Sequence, residues 1–131
     1  MFRFLRKPKG YTLLEVLIAM VVTSIGLLGM AQLQIVATRS NSFSNQMTVG
    51  VTLGQDQLEA LRNLDYEDTE LDAGDHVDPG NPIMSQGGIG FNRRWTVTED
   101  APNSLKTVTI TVGWPAGNES HHVTFTTVKT E

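Results

Sequence analysis

Twenty-three consecutive residues, Val16–Thr38, carry no formal charge. As an α-helix rising ~1.5 Å per residue, such a run reaches roughly 34 Å, against a bilayer hydrocarbon core of about 30 Å. A soluble buried helix rarely needs so many apolar residues in succession, so the run predicts a membrane span. Between Lys9 and Arg39 the only charge is Glu15. Arg3, Arg6, Lys7 and Lys9 give residues 1–10 a charge of +4, whereas the remainder holds 6 basic and 14 acidic residues. A basic head on an acidic body predicts topology, with a cytoplasmic N-terminus and an exported C-terminal body. It is a weak nucleic-acid footprint, and no nucleic-acid partner is expected. The chain has no Cys, which excludes a disulfide framework, a thiolate metal site and a cysteine nucleophile.

A cleaved secretory signal competes with the span. Gly29-Met30-Ala31 has the small-x-small form of a cleavage site, behind a basic start. Two features oppose it: Glu15 sits where the apolar segment would begin, and Leu33, Ile35 and Val36 continue that segment past Ala31. Glu15 itself demands explanation. A carboxylate at the edge of a bilayer core is costly unless paired, and such residues are functional by default. Thr12 and Glu15 have capping-box spacing, and the helix dipole favours an acid in the first turn. Capping alone does not require a charge, since Gln would serve.

The stretch Lys9-Gly10-Tyr11-Thr12-Leu13-Leu14-Glu15-Val16-Leu17-Ile18 resembles the class III signal of type IV prepilins. In that family a short basic leader ends in Gly, the next residue is usually Phe, and the fifth mature residue is Glu. The resemblance implies cleavage between Gly10 and Tyr11 by a prepilin peptidase on the cytoplasmic side, with N-methylation of Tyr11. Tyr in place of Phe keeps the aromatic ring. The Pro that many major pilins carry in the span is absent. The resemblance also implies that Glu15 pairs with the N-terminal amine of a neighbouring subunit during assembly, a device for register rather than stability. Ile25-Gly26-Leu27-Leu28-Gly29 further resembles PilV-type minor pilins. Gly26 and Gly29, with Thr23 and Ser24, allow close approach of helices in a bundle.

Beyond Arg39 the composition turns polar, while Phe43, Met47, Val51, Leu58 and Leu61 hold one helical face. No Pro interrupts residues 10–78, so a single helix is expected to run to about Asn63, apolar all round in its first half and one-sided in its second. Residues 65–78 then hold seven acids, and no Lys or Arg occurs from Asn63 to Asn92. A solvated loop is the expectation. Calcium would need several converging hard oxygens, and Asp72-Ala73-Gly74-Asp75 is not an EF-hand loop. Gly87-Gly88-Ile89-Gly90 lacks a phosphate-loop pattern and is expected to turn into a strand.

Three alternating stretches follow: Trp95–Thr98, Thr107–Trp114 and Val123–Thr126. Ala101-Pro102-Asn103-Ser104 and Pro115-Ala116-Gly117-Asn118 are turn chemistry. Val108, Ile110, Val112 and Trp114 should face the helix, and Thr107, Thr109 and Thr111 the opposite side. His121 and His122 are neighbours on a strand and point to opposite faces, so they do not chelate together. No catalytic constellation stands out in the sequence.

The expected fold is therefore α+β: a long N-terminal helix, its first half membrane-spanning, packed on a small antiparallel sheet. The divisions are a leader at 1–10, a transmembrane half-helix at 11–38, an amphipathic half-helix at 39–64, an acidic and Gly/Pro-rich loop at 65–92, and a sheet at 93–131. The resemblance implies a non-enzymatic minor pilin without cofactor or metal, whose site residues are Gly10 and Tyr11 for processing and Glu15 for assembly. Its partners would be other pilins, prepilin peptidase and the inner-membrane assembly machinery. It would sit in the inner membrane with a periplasmic C-terminal domain, then in the surface pilus. A minor pseudopilin of a type II secretion system shares these features. A single-span anchored periplasmic binding domain is the alternative of another class.

Overall fold

The computed structural model describes residues 10–100 and 104–131. The basic residues Arg3, Arg6, Lys7 and Lys9, and Ala101-Pro102-Asn103 of one expected turn, lie outside them. Among the described residues one helix, α1 (Leu13–Asn63), is followed by a 3₁₀ turn (Thr69–Leu71) and five strands: β1 (Gly74–Val77), β2 (Ile83–Met84), β3 (Gly90–Asp100), β4 (Leu105–Ala116) and β5 (Glu119–Thr130). All pairings are antiparallel, in the order β1-β3-β4-β5, with β2 pairing β3 beyond the end of β1. The α+β expectation is what the structure shows. The chain divides into two units between Asn41 and Ser42, and each is described on its own.

In the first unit the described residues of the helix are exposed. Leu13, Leu14, Leu28 and Leu33 are all exposed, as are the other large apolar residues up to Val36. The helix is long and apolar enough to cross a membrane. Its hydroxyls are satisfied internally: Thr23 donates to the Ala19 carbonyl at 2.7 Å, Ser24 to Met20 at 2.8 Å and Thr38 to Gln34 at 2.9 Å. These bonds let polar side chains sit in an apolar medium without a partner helix.

In the second unit, residues 42–63 of α1 pack on the sheet. Odd-numbered residues of β3 and even-numbered residues of β4 face the helix, and Phe91, Trp95, Val97, Val108, Ile110, Val112 and Trp114 are buried. The Thr residues of β4 lie on the other face, as expected. One core cluster gathers Leu61, Leu71, Trp95, Val97, Val108 and Ile110; the other gathers Phe91, Val112 and Trp114 with Met47, Val49 and Leu53 around them. A small sheet needs such a cover, because a few strands alone are marginal.

The middle of the packed helix face is made of glycine. Gly50 and Gly54 are buried. A Cβ on Gly50 would lie 2.7 Å from the Trp114 ring, and one on Gly54 would lie 2.3 Å from the Phe125 ring. Two large aromatics thus press directly on helix backbone. The apolar spacing Phe43-Met47-Val51-Leu58-Leu61 finds the correct side of the helix but misses this centre, because a hydrophobic pattern gives glycine no weight.

Two lysines hold the far end of α1 and the chain just beyond it. Lys129 donates to the carbonyls of Arg62 (3.0 Å) and Leu64, which satisfies acceptors that a helix end leaves unpaired. Lys106, only 4% exposed, donates to the Tyr66 carbonyl at 2.7 Å and lies 4.2 Å from the centre of the Tyr66 ring.

The segment 65–92, expected as loop, is more ordered than its composition suggests, and the sheet begins at Gly74 rather than near Arg93. Neither β1 nor β2 shows apolar alternation, so neither was legible from pattern. They form because β3 offers its free edge and because side chains replace missing backbone pairing. Between β1 and β2, the Asn81 amide donates to the Arg93 carbonyl (2.8 Å) and its oxygen accepts from the Arg93 N–H (2.9 Å). Trp95 is anchored by its indole N–H on the Glu70 carbonyl (2.9 Å) and lies stacked against His76. The expected turns appear at Gln86-Gly87-Gly88, before β3, and at Gly117-Asn118, between β4 and β5. Gly88 (φ 75°) and Gly117 (φ 66°) take left-handed conformations that suit glycine.

Arg93 ties helix, turn and sheet together. Its Nε donates to Asp78 at 2.7 Å, its second terminal nitrogen lies 2.5 Å from the same carboxylate, and its first donates to the Leu53 carbonyl at 3.0 Å. Burial opposes ionisation of Asp78. The Gly80 N–H and the Arg93 guanidinium outweigh it and hold the carboxyl below its ordinary 3.8. A depressed carboxylate stabilises the fold above the unfolded-state pKa, and that contribution is lost as pH falls through the lower folded value. Asp78→Asn should cost about 1–3 kcal/mol at pH 7, since it strands a largely buried guanidinium. Urea denaturation at a series of pH values should show the gap to wild type closing below about pH 4. A gap independent of pH would mean that the pair contributes only shape.

Candidate functional site at the start of the helix

Thr12 precedes the first helical residue, Leu13. Its carbonyl accepts from the N–H groups of Glu15 (3.0 Å) and Val16 (3.2 Å), and its hydroxyl accepts from the Glu15 N–H at 3.3 Å. That is one half of a capping box, and it satisfies a donor that a helix start leaves open. Among the described residues nothing makes the reciprocal bond to the Glu15 carboxylate. Glu15 is exposed in the first turn of α1, where the helix dipole favours its charge.

Gly10 and Tyr11 lie just outside the helix, and both are exposed, Tyr11 at 83%. Among the described residues nothing would lie within 4 Å of a Cβ on Gly10, so their packing makes no demand for glycine there. The same holds for Gly26 and Gly29, in contrast to Gly50 and Gly54. Tyr11 and Glu15 share one side of the helix: with Ala19 and Thr23 they line a shallow groove of about 620 Å³. Gly10 and Tyr11 are thus exposed at the start of the helix, and the Glu15 carboxylate lies one turn along.

The other candidates have structural employment. Asp68 caps the 3₁₀ turn by accepting from the Glu70 N–H (3.0 Å), Asp75 accepts from the Thr96 hydroxyl (2.7 Å), and Asp78 pairs with Arg93. Among the described residues no group of three or more His, Asp or Glu converges as a metal site. His121 packs against Phe43, with ring centres 5.1 Å apart, while His122 is exposed on the opposite face.

Residues 5–31 match the family model described as the prokaryotic N-terminal methylation motif. No curated protein and no solved structure matches the chain significantly. The matched segment contains Gly10, Tyr11 and Glu15 and runs into the exposed apolar part of α1. The chain carries the prokaryotic N-terminal methylation motif, which supports a prepilin of the type IV pilin or pseudopilin kind.

Proposed function

We propose that this chain is a minor pilin: a non-enzymatic subunit held in the inner membrane by α1, cut by prepilin peptidase after Gly10, methylated at Tyr11, and assembled with other pilins through its helix. The observation that supports this most is the pairing of the methylation motif with an apolar helix surface left open from Leu13 to Val36. So large an apolar face must meet lipid or other helices. Among the described residues no packing demands glycine at position 10, and recognition by a processing enzyme would supply such a demand. The +4 charge of residues 1–10 favours a cytoplasmic N-terminus and a periplasmic sheet-bearing unit.

Cleavage would create a cationic amine at Tyr11, and methylation would keep its charge. Glu15 then has the partner that its place at the edge of the span demands, in the amine of a neighbouring subunit. The assembly machinery would draw the helix from the membrane into the filament, where apolar neighbours replace lipid.

Intact-mass analysis of the protein from its native membrane tests this reading. The expected mass lacks residues 1–10 and includes one methyl on Tyr11. A mature chain beginning at Gln32 would establish a secretory signal instead, and retention of residues 1–10 would favour an uncleaved anchor. Replacing Gly10 with Leu should leave the precursor uncut. Glu15→Val tests assembly: it should be processed normally and partition more strongly into membrane, yet enter filaments poorly. Incorporation equal to wild type in a piliated strain would remove Glu15 from assembly.

A further inference from the structure

The face of the sheet turned away from the helix carries a feature that the pilin reading does not use. Asn92, Gly113 and His122 share one register row across β3, β4 and β5, and Arg94, Thr111 and Thr124 form the next. Gly113 has no side chain, so a concavity opens between Asn92 and His122. Its volume is about 840 Å³, and Val77 and Pro115 lie at its margins. Among the described residues no Asp or Glu lines it, although acids outnumber bases in the chain by 14 to 10. Arg93 is spent on Asp78 and Leu53, whereas Arg94 is exposed and has no ion pair with a described residue. Asp75, the acid in the next row of the same face, is engaged by Thr96.

We propose that this concavity is a binding site for an acidic saccharide, a sugar unit bearing a carboxylate. A free guanidinium fork matches a carboxylate in two parallel hydrogen bonds. The depression is open to solvent and wider than one carboxylate needs. The rest of the lining decides the ligand's other groups. Asn92, Thr111, Thr124 and His122 offer donors and acceptors together, and hydroxyls are the ligand groups that are both at once. An apolar ligand would leave those groups unpaired at a cost. Val77 and Pro115 offer surface for the C–H faces of a sugar ring. Arg94 sets the charge requirement, and the Gly113 floor sets the depth.

Titration calorimetry on the full chain in detergent micelles tests the site independently of processing and assembly. Trigalacturonate should bind, and maltotriose, which is neutral, should not. Arg94→Ala should weaken trigalacturonate at least tenfold and His122→Ala at least threefold. Gly113→Val, which fills the floor, should abolish binding. Thr126→Ala, on the same face outside the concavity, should leave it unchanged. Circular dichroism checks that each variant retains its fold, and Arg94→Ala, exposed and unpaired, serves as the test should Gly113→Val fail to fold. Absence of trigalacturonate binding, or binding unaffected by Arg94→Ala, overturns the proposal. So does equal affinity for triglutamate, which marks an acidic-peptide site, or full competition by sulfate alone, which marks a bare anion site.

Discussion

Leu61→Asp should abolish cooperative folding of the sheet-bearing unit. Leu61 is 1% exposed and belongs to the cluster of Trp95, Val108 and Ile110. Truncating a buried Leu costs about 2–5 kcal/mol, and a carboxylate in the same site adds the cost of burying an unpaired charge. The total stability of a small domain is about 5–15 kcal/mol, so the substitution consumes most or all of it. Phe43→Asp is the control on the same helix. Phe43 is 40% exposed and meets the sheet through His121, so its loss should cost about 1–2 kcal/mol. Urea titration of both variants in detergent, followed by tryptophan fluorescence, compares them directly, because Trp95 and Trp114 both lie in the core. Equal effects would mean that the helix packs on the sheet with the same intimacy along residues 43–61.

Gly54→Ala should destabilise the protein although alanine is the better helix former. Propensity alone favours Ala by about 1 kcal/mol. Against this, the new methyl would lie 2.3 Å and 2.6 Å from two atoms of the Phe125 ring. Phe125 is partly buried on β5 and packs against the core cluster around Ile110, so a retreat of the ring would give up that contact. Overpacking of this kind costs about 1–3 kcal/mol, and more where the backbone must move, so a net loss is expected. Gly26→Ala gives the opposite sign in the isolated subunit, because among the described residues nothing lies within 4 Å of its Cβ. If Gly26→Ala raises helix stability in micelles but impairs entry into filaments, that glycine is reserved for a neighbouring helix. Thermal melts by circular dichroism measure the first effect, and filament content measures the second. A Gly54→Ala protein as stable as wild type would show that helix and sheet slide apart without cost.

Much of this molecule was legible because its strongest signals are local. An uncharged run, an unbroken helix without proline and period-two strands each depend on residues near in sequence. The thread from Thr12 to Glu15 is equally local, and the cap bond appears where the spacing placed it. The illegible parts depend on partners far apart in the chain. β1 has no apolar period of its own; it is a strand because Arg94 to Val97 stand beside it with unpaired backbone. Arg93 and Arg94 look equivalent in sequence. Register turns one toward the helix, where Asp78 and the Leu53 carbonyl receive it, and the other toward solvent.

Sequence by itself determined the membrane-length helix, the methylation motif around Gly10, Tyr11 and Glu15, and the apolar face of β4, because hydropathy, charge and peptide-bond chemistry act within a few residues. Tertiary structure alone decided which glycines carry packing. Gly26, Gly29, Gly50 and Gly54 are alike on paper, but only the last two meet aromatic rings, Trp114 and Phe125. It also decided that Lys129 would close the end of the helix and Lys106 would hold the chain just beyond it, each 40 or more residues away. An ammonium at the end of a flexible stem finds its acceptor only after the sheet has set its register, and no local pattern encodes that meeting.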